Sequence, residues 1–320
     1  MSLVSGLFQL SPYIEVAARR IYWNSAWLVR AANRKRPPAA RAAVPVSAQT
    51  WPQIETFLRE HGASAGRLLV VHSSASELRA TGLAPPQIIQ KLLALSGETG
   101  TLAMPAFPRY DAEPQGISRM RVDVSDLELD YDVQKSIPWT GLLPLRLMRM
   151  PGAVRSRHPL NSMVAFGPLA GPMMADNLMG ARPLPCGAHS SWKFCADNDA
   201  LIVALGVDMA HSLTMIHVAE DAYEAQWPVR DWYRERKFRV LDKGEVTSVV
   251  VRERRPQWAA HYAERTLSKD LRRAGLLART QVAGVSVEVL EAQKLLAFLA
   301  ARRSSAYPYF MIPRSLVLPP

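Results

Sequence analysis

Cysteine is nearly absent: the 320 residues hold only Cys186 and Cys195. Two cysteines supply neither a disulfide framework nor a zinc-type C-x-x-C pair, so a reducing compartment, the cytoplasm, is the expectation. Long apolar runs are missing too. No uninterrupted stretch approaches the roughly 20 residues of a membrane-spanning helix, and the apolar first ten residues have no charged region before them, which argues against a secretory signal. The chain contains no G-x-S-x-G elbow, no P-loop and no G-x-G-x-x-G, so the α/β-hydrolase nucleophile and two common phosphate cradles are excluded. No H-E-x-x-H is present, and among the histidines only His211 and His217, six apart, have close spacing. No metal site is expected.

Acidic residues are also scarce. The formal net charge is +11 and the pI about 9.9. Before residue 46 the cations Arg19, Arg20, Arg30, Arg34, Lys35, Arg36 and Arg41 face a single Glu15, so more than half of the surplus lies in an N-terminal arm. Such a balance points to anionic partners, acidic lipid or phosphates among them, and says nothing of fold. Ile14, Ala17, Ala18, Ile21 and Leu28 recur at helical spacing and predict a helix over residues 13–31. Two readings stand: an extra helix packed on the domain, or a basic amphipathic anchor at an anionic membrane surface with Trp23 and Trp27 as interfacial groups. The Pro/Ala-rich RPPAARAAVPV that follows reads as a linker. The expected division is therefore an arm over 1–46 and a single folded domain over 47–320.

The domain is expected to open with a helix at Thr50, where Thr50 and Gln53 have capping-box spacing. RLLVVHSS reads as a buried strand, PPQIIQKLLALSG as a helix with proline in its first turn, and GTLAMPAF as a second strand. Strand, helix and strand in this order imply an α/β fold, with a mixed, mostly parallel sheet flanked by helices. The polar stretch from Arg109 to Pro138 is too long for a plain connection and is expected to face substrate. A helix over 140–150, the strands SMVAFG and ALIVALGV, a hairpin over 237–251 turning near Lys243-Gly244, helices near 256–273 and 290–303, and a short strand VAGVSVEV complete the reading.

Parallel strands of α/β proteins present ligand sites at their ends. HSSAS follows the first strand, RSRHPLNS precedes SMVAFG, and DMAHSLTMIHVAE follows ALIVALGV. In the last, His217 and Glu220 are three apart, which on a helix makes them neighbours. A carboxylate there can orient an imidazole for general-base work, although H-x-x-E also occurs as two surface residues sharing a face. His158, flanked by Arg155 and Arg157, is either a loop histidine in a basic patch or a ligand-facing group beside phosphate-binding cations. Ser73, Ser74 and Ser76 are either helix caps or donors to a phosphate or pantetheine amide. Arg79-Ala-Thr-Gly-Leu-Ala84 fits R-x-x-G-x-A, the pyrophosphate pattern of the common acetyltransferase superfamily. It sits in the first βα unit rather than after antiparallel strands, and is set aside.

In order along residues 50–302, six stretches resemble the aminoglycoside 3-N-acetyltransferase family. LLVVHSSASEL resembles its V-H-S-S loop and GTLAMPAF its G-T-L-x-M-P-x-F strand. YDVQKSIPWTG is similar to F-D-x-x-x-T-P-x-x-x-G, with Tyr131, Asp132, Ser136 and Gly141 in register. PGAVRSRHPLNS resembles P-G-x-x-R-S-x-H-P-x-x-S through Pro151, Gly152, Arg155, Ser156, His158, Pro159 and Ser162. PCGAHSSW resembles P-F-G-x-G-S-P-W through Gly187, Ser190 and Trp192, and TMIHVAE resembles T-x-x-H-x-A-E through Thr214, His217, Ala219 and Glu220.

The resemblance implies that family's own fold, acetyl-coenzyme A as acyl donor, an amine as acceptor, and direct transfer in a ternary complex. His217 is then the base or its relay, with Glu220 holding the ring and His158 near the reacting centre. Ser73, Ser74, Arg155, Ser156, Ser162 and Ser190 would face the coenzyme, and Asp132, Asp208, His211 and Glu224 the acceptor. The chain departs from the pattern where His211 stands for a usual Asp and where Met163 and Cys186 replace a common Val and Phe. A histidine for a carboxylate, in a chain of charge +11, points to an amino sugar or nucleotide-linked amino sugar in preference to a polycationic aminoglycoside, the competing acceptor. A reading from another class is a non-catalytic binder docking on anionic membrane or nucleic acid through the arm. For the enzyme no nucleic-acid partner is expected, and its place is the cytoplasm, with peripheral contact at the inner membrane surface through residues 1–46.

Overall fold

Strict alternation along LLVVHS builds the first layer. In strand β1 (Leu68–Ser73), Leu68 and Val70 enter one buried cluster while Leu69 and Val71 enter another, because successive side chains of a strand point to opposite faces. A computed structural model describes residues 11–25, 27–28, 46–114, 118–302 and 309–317, except for the side chain of Arg314. The linker expected over 36–46 lies outside these residues, save Val46.

β1 sits near the middle of a seven-stranded sheet. It pairs with β2 (Thr101–Pro105) and β6 (Leu201–Leu205); between these in the chain come the smaller-sheet strand β3 (Glu128–Asp132) and the edge strands β4 (Val154–Arg155) and β5 (Met163–Phe166). Next come the hairpin strands β7 (Tyr233–Asp242) and β8 (Glu245–Arg254), then β9 (Ala278–Val282) and β10 (Val285–Glu291). The large sheet runs β4-β5-β2-β1-β6-β10-β9. The expected α/β class with a helix-flanked sheet holds. Parallel pairing, however, is confined to β2-β1-β6, and the four outer pairings are antiparallel. The excess of antiparallel edges arises from short returns: VAGVSVEV is one half of a hairpin rather than a lone strand, turning at Ala283-Gly284, both with positive φ.

Helices cover both faces. Thr50–Glu60, Pro85–Ser96 and Leu142–Met148 pack over one cluster, and Ser191–Asp197, Glu264–Arg273 and Ala292–Ala300 over the other. Thr50 is not the cap its spacing suggested. It lies inside the first turn, where its buried hydroxyl has no partner among the described residues, and Ser47 accepts the N–H of Gln49 instead. The stretch 109–138 is not irregular throughout. Leu129 and Tyr131 pull it into a second core, where β3 pairs in parallel with β7. β7 and β8 form the expected hairpin, and its turn residues Lys243 and Gly244 both adopt positive φ, as a tight two-residue turn requires.

Among the N-terminal residues, Pro12–Asn24 is helical. Its Glu15 is fully buried and caps another helix: Oε1 accepts the Arg265 N–H at 2.9 Å, and Oε2 accepts the N–H and hydroxyl of Thr266, both at 3.0 Å. A carboxylate at a helix N-terminus satisfies orphan amides and the helix dipole together. Arg19 reinforces the docking through an ion pair with Glu264. The opposite side leaves Tyr13, Ile14 and Ile21 exposed.

Candidate active site

The segment after β6 carries the expected pair, but not on one continuous helix. Gly206 ends the strand with φ +70°, where a Cβ would lie 2.5 Å from that of Glu77, so glycine is required for this close approach. Asp208 then caps a single turn, Met209–Ser212, by accepting the His211 N–H at 3.0 Å. The turn stops at Leu213 and is followed by a 3₁₀ turn, Thr214–His217, and a short helix, Val218–Asp221. Met215, Ile216 and Val218 of these two turns are buried in the core.

His217 and Glu220 nevertheless meet. Nδ1 of His217 lies 2.6 Å from Oε1 of Glu220, and Oε2 of the same carboxylate accepts the indole N–H of Trp232 at 2.8 Å. Glu220 is 1% exposed and the imidazole 21%. Burial and the Arg254 guanidinium push the His217 pKa down, against the pull of Glu220. Arg254 stands 3.8 Å from Glu220. The outcome is an oriented imidazole that stays neutral near pH 7 and has one nitrogen held by a carboxylate.

Two cavities flank this segment. The larger, about 520 Å³, has Asp221, Glu224, Ser190, Arg182 and Arg252 in its wall. A narrower slot of about 220 Å³ opens at the ends of β1, β2 and β6, between Phe107, Trp139 and Pro144, with Ser73, Thr214 and His211 supplying polar groups. His217 thus falls along the chain between the residues of the slot and those of the larger cavity. No residue of 109–138 is among those lining either.

The other expected residues divide by what they touch. Ser73 and His211 face the slot, while Glu224 and Ser190 face the larger cavity. Ser190 also caps Ser191–Asp197 by accepting the Lys193 N–H. Glu224 is paired with Arg252 at 2.7 Å. His211 bonds to Asp208 at 2.5 Å, which holds its pKa up. Ser74 pairs with Ser76 at 2.9 Å. His158 is buried, its Nδ1 2.9 Å from the Leu160 carbonyl and its Nε2 3.4 Å from that of Pro183, and burial pushes its pKa down to about 4. Arg155 donates to the carbonyls of Val133, Ser136 and Ala106, and Ser162 donates to that same Ala106 carbonyl. Ser156 accepts the His158 N–H, and Asp132 accepts the N–H groups of Gln134 and Lys135 in its own turn. His158, Arg155, Ser156, Ser162 and Asp132 are not among the residues lining the two cavities.

Asp221 escaped the sequence reading. It is buried, accepts the Cys186 N–H at 3.1 Å and the Tyr233 hydroxyl at 3.1 Å, and burial beside Glu220 pushes its pKa up to about 8. Its position next to Glu220 was the only available signal. Trp232, just before the hairpin, and Arg254, at its end, surround Glu220 and left none. Among the described residues, no group of three or more His, Cys, Asp and Glu could hold a metal ion, and no helix is long and apolar enough to cross a membrane.

A sequence model of the aminoglycoside 3-N-acetyltransferase family matches residues 70–303. The chain is 29% identical over 257 residues to aminoglycoside N(3)-acetyltransferase VIII of Streptomyces fradiae, covering 74% of this chain and 85% of that protein. It is 30% identical over 164 residues to aminoglycoside N(3)-acetyltransferase IV of a Salmonella species, a match that spans 50% of this chain and about half, 54%, of the relative. Among solved structures, the apoenzyme of aminoglycoside acetyltransferase AAC(3)-IVa is similar with a TM-score of 0.61 and 23% identity, over 82% of this chain and 92% of that one. The binary complex of AAC-IIIb with CoASH is similar with a TM-score of 0.60 and 19% identity, over 77% and 93%. At these identities the structural likeness establishes the fold.

Proposed function

The chain belongs to the aminoglycoside 3-N-acetyltransferase family, and from that membership and the geometry of its site we propose that it moves an acetyl group from acetyl-coenzyme A to the amine of an amino sugar. The acyl donor's narrow pantetheine arm suits the slot at the strand ends, where aromatic and proline walls carry a few hydroxyls. The acceptor suits the larger cavity.

His217 does the proton work in this reading. A sugar amine is mostly protonated at neutral pH and must shed a proton before its nitrogen can attack. With Nδ1–H donated to Glu220, the lone pair of Nε2 is free to take that proton. That first proton passes on to solvent; as the new C–N bond forms, Nε2 takes the nitrogen's second proton, and the imidazolium can return it to the departing sulfur as the C–S bond breaks, which leaves a neutral amide and a free thiol. Glu220 stabilises the charged ring in between and is itself held by Trp232. The observation that carries the proposal is the His217–Glu220–Trp232 chain of hydrogen bonds, on a segment whose earlier residues line the slot and whose later ones line the larger cavity, although His217 and Glu220 themselves line neither. Ser73 is assigned to the donor, Glu224 and Asp221 to the acceptor. His158, Arg155, Ser156 and Ser162 take no part in binding here; their bonds go to backbone groups.

The acceptor cavity favours a modestly charged amine. Glu224 is matched by Arg252, Arg182 is matched by Glu235, and the Asp221 proton is retained to about pH 8. Little uncompensated negative charge is left for a polycation. Aminoglycosides are the rival acceptors, supported by the names of the relatives and by a structure of a mutant AAC(3)-IVa in complex with apramycin. Mass spectrometry of an acceptor panel after incubation with acetyl-coenzyme A separates the two. Acetylation of simple or nucleotide-linked amino sugars ahead of apramycin and gentamicin-type compounds is expected, and the reverse order would replace the acceptor assignment.

A peripheral contact with an anionic bilayer belongs to the same proposal. Its support is the outward face of Pro12–Asn24, where Tyr13, Ile14 and Ile21 are exposed beside Arg20, with exposed Trp27 just beyond. The arm's remaining cations follow directly in the sequence.

A further inference from the structure

His72, the last side chain of β1 before Ser73, has no place in the relay described above, yet it is built into the donor slot. Period-two alternation puts it on the sheet face of Leu68 and Val70, the face that also carries Trp192, Met215 and Val218. It is 7% exposed, lies among the residues lining the slot, and packs against Trp192 with ring centroids 6.0 Å apart. The Trp192 indole offers it no hydrogen bond, since that N–H is donated to the Asn161 carbonyl at 2.7 Å. Nε2 of His72 is buried and has no hydrogen-bond partner among the described residues. Buried polar side-chain atoms are satisfied in the large majority of cases, and a histidine in a purely structural role normally finds a carbonyl, as His158 and His261 do here.

We propose that the His72 imidazole is a positioning residue for the acyl donor, bonding an amide or thioester carbonyl of the acyl-pantetheine arm within the slot. This rests on the reading that acetyl-coenzyme A is the donor. The chemistry matches on three counts. A pantetheine arm is thin and mostly apolar, with isolated carbonyl groups and no charge, so it needs single neutral partners along aromatic and aliphatic walls. Pro105, Phe107, Trp139 and Pro144 supply the walls. A neutral ring supplies one N–H donor without bringing a charge that the slot cannot solvate; burial holds the His72 pKa at about 4, so the ring is neutral throughout the working range. Its neighbour Ser73 lies on the same slot, so two consecutive residues at the strand end would grip one ligand.

The test compares His72→Leu, which keeps volume and loses the donor, with His72→Gln, which keeps an N–H. Calorimetric binding of coenzyme A and the KM for acetyl-coenzyme A are measured beside the KM for the amine. His72→Leu should weaken coenzyme A binding by on the order of tenfold, the worth of one hydrogen bond to a neutral group, and raise the donor KM alike while the acceptor KM stays put. His72→Gln should recover most of the loss. S-acetylpantetheine, which lacks the nucleotide, should show the same ratio between wild type and variant. Equal coenzyme A affinity in wild type and His72→Leu would overturn the assignment and leave the donor reading intact, whereas no binding by wild type would remove both. A measurement needing no variant is the ¹⁵N shift of the His72 ring on adding coenzyme A to labelled protein: movement is expected, and an unmoved ring counts against the proposal.

Discussion

One carboxylate serves two partners at the centre of this molecule: Glu220 holds His217 through Oε1 at 2.6 Å and is held by Trp232 through Oε2 at 2.8 Å. The pair spans the end of a 3₁₀ turn and the short helix that follows it, and its anchor is the residue just before β7, twelve positions on from Glu220. An acid so placed has no freedom to swing away, which fixes the imidazole's tautomer and orientation as well as its environment.

Replacing His217 by Ala should lower kcat by about a hundred- to ten-thousand-fold, the usual contribution of a positioned general base. Coenzyme A affinity should stay near wild type, because the slot is built from other residues. Glu220→Gln should give a smaller loss in kcat, and Trp232→Phe a smaller one still. Steady-state kinetics with calorimetric coenzyme binding checks the series; near-normal turnover in the His217 variant would remove this residue from the mechanism.

The pH profile follows from the electrostatics of the same residue. Burial and Arg254 lower the His217 pKa, so the base is already deprotonated at pH 7. Activity should fall only as pH drops through that lowered pKa, and the acid limb of kcat/KM should lie below about 6.5, the ordinary imidazole value. Arg254→Leu removes a cation that opposes protonation and should move the limb upward. An unmoved limb in this variant would show that another group titrates.

How much of this could be read from the chain alone varies with distance in sequence. The central strands, the Lys243-Gly244 turn and the neighbourhood of His217 and Glu220 rest on local periodicity and spacing, and the structure contains all three. The break at Leu213 was not legible, since no proline or glycine marks it in the segment from Met209 to Asp221. Nor were the backbone carbonyls that occupy Arg155 and Ser162, which lie 19 to 56 residues away. A motif names the residue and is silent on its partner. The buried state of Asp221 and the unpartnered nitrogen of His72 are likewise products of packing, invisible until the layers close.

Asp221 should be a stability cost that grows with pH. Its folded pKa of about 8 lies above its value in an unfolded chain, so between about pH 4 and pH 8 the folded state binds the extra proton. Stability is therefore undiminished below about pH 4, declines across this window, and carries the full penalty above it. Asn imitates the protonated acid and can still accept the Cys186 N–H. Asp221→Asn should melt near wild type at pH 5 and several degrees higher at pH 8. A variant that melts lower than wild type at both pH values would contradict a protonated Asp221.

Glu15 predicts that the N-terminal helix is part of the fold. Its carboxylate satisfies three donors at the start of Glu264–Arg273 from a position with no solvent access. Glu15→Ala leaves those groups buried and unpaired and should cost about 1–3 kcal/mol in denaturant unfolding. Glu15→Gln, which keeps an acceptor but loses the charge facing the helix N-terminus, should cost less. An unchanged denaturation midpoint for the Ala variant would mean that this docking does not persist in solution.

That docking also decides how the membrane contact must be tested. Truncating the arm would remove Glu15 together with the exposed apolar side chains and confuse a folding defect with a lost anchor. Point changes on the outward face avoid this: Ile14→Ser, Ile21→Ser and Trp27→Ser together delete apolar surface that is already solvent-exposed, so the melting temperature should not move. Wild type should sediment with vesicles of mixed phosphatidylglycerol and phosphatidylcholine, less so at high salt, and weakly with phosphatidylcholine alone, because apolar insertion and cation attraction act together. The triple variant should lose most of the sedimentation on the anionic vesicles. If it pellets as wild type does, the basic charge alone accounts for the binding and the helix face has no part in it; if wild type does not pellet at all, the peripheral contact is withdrawn.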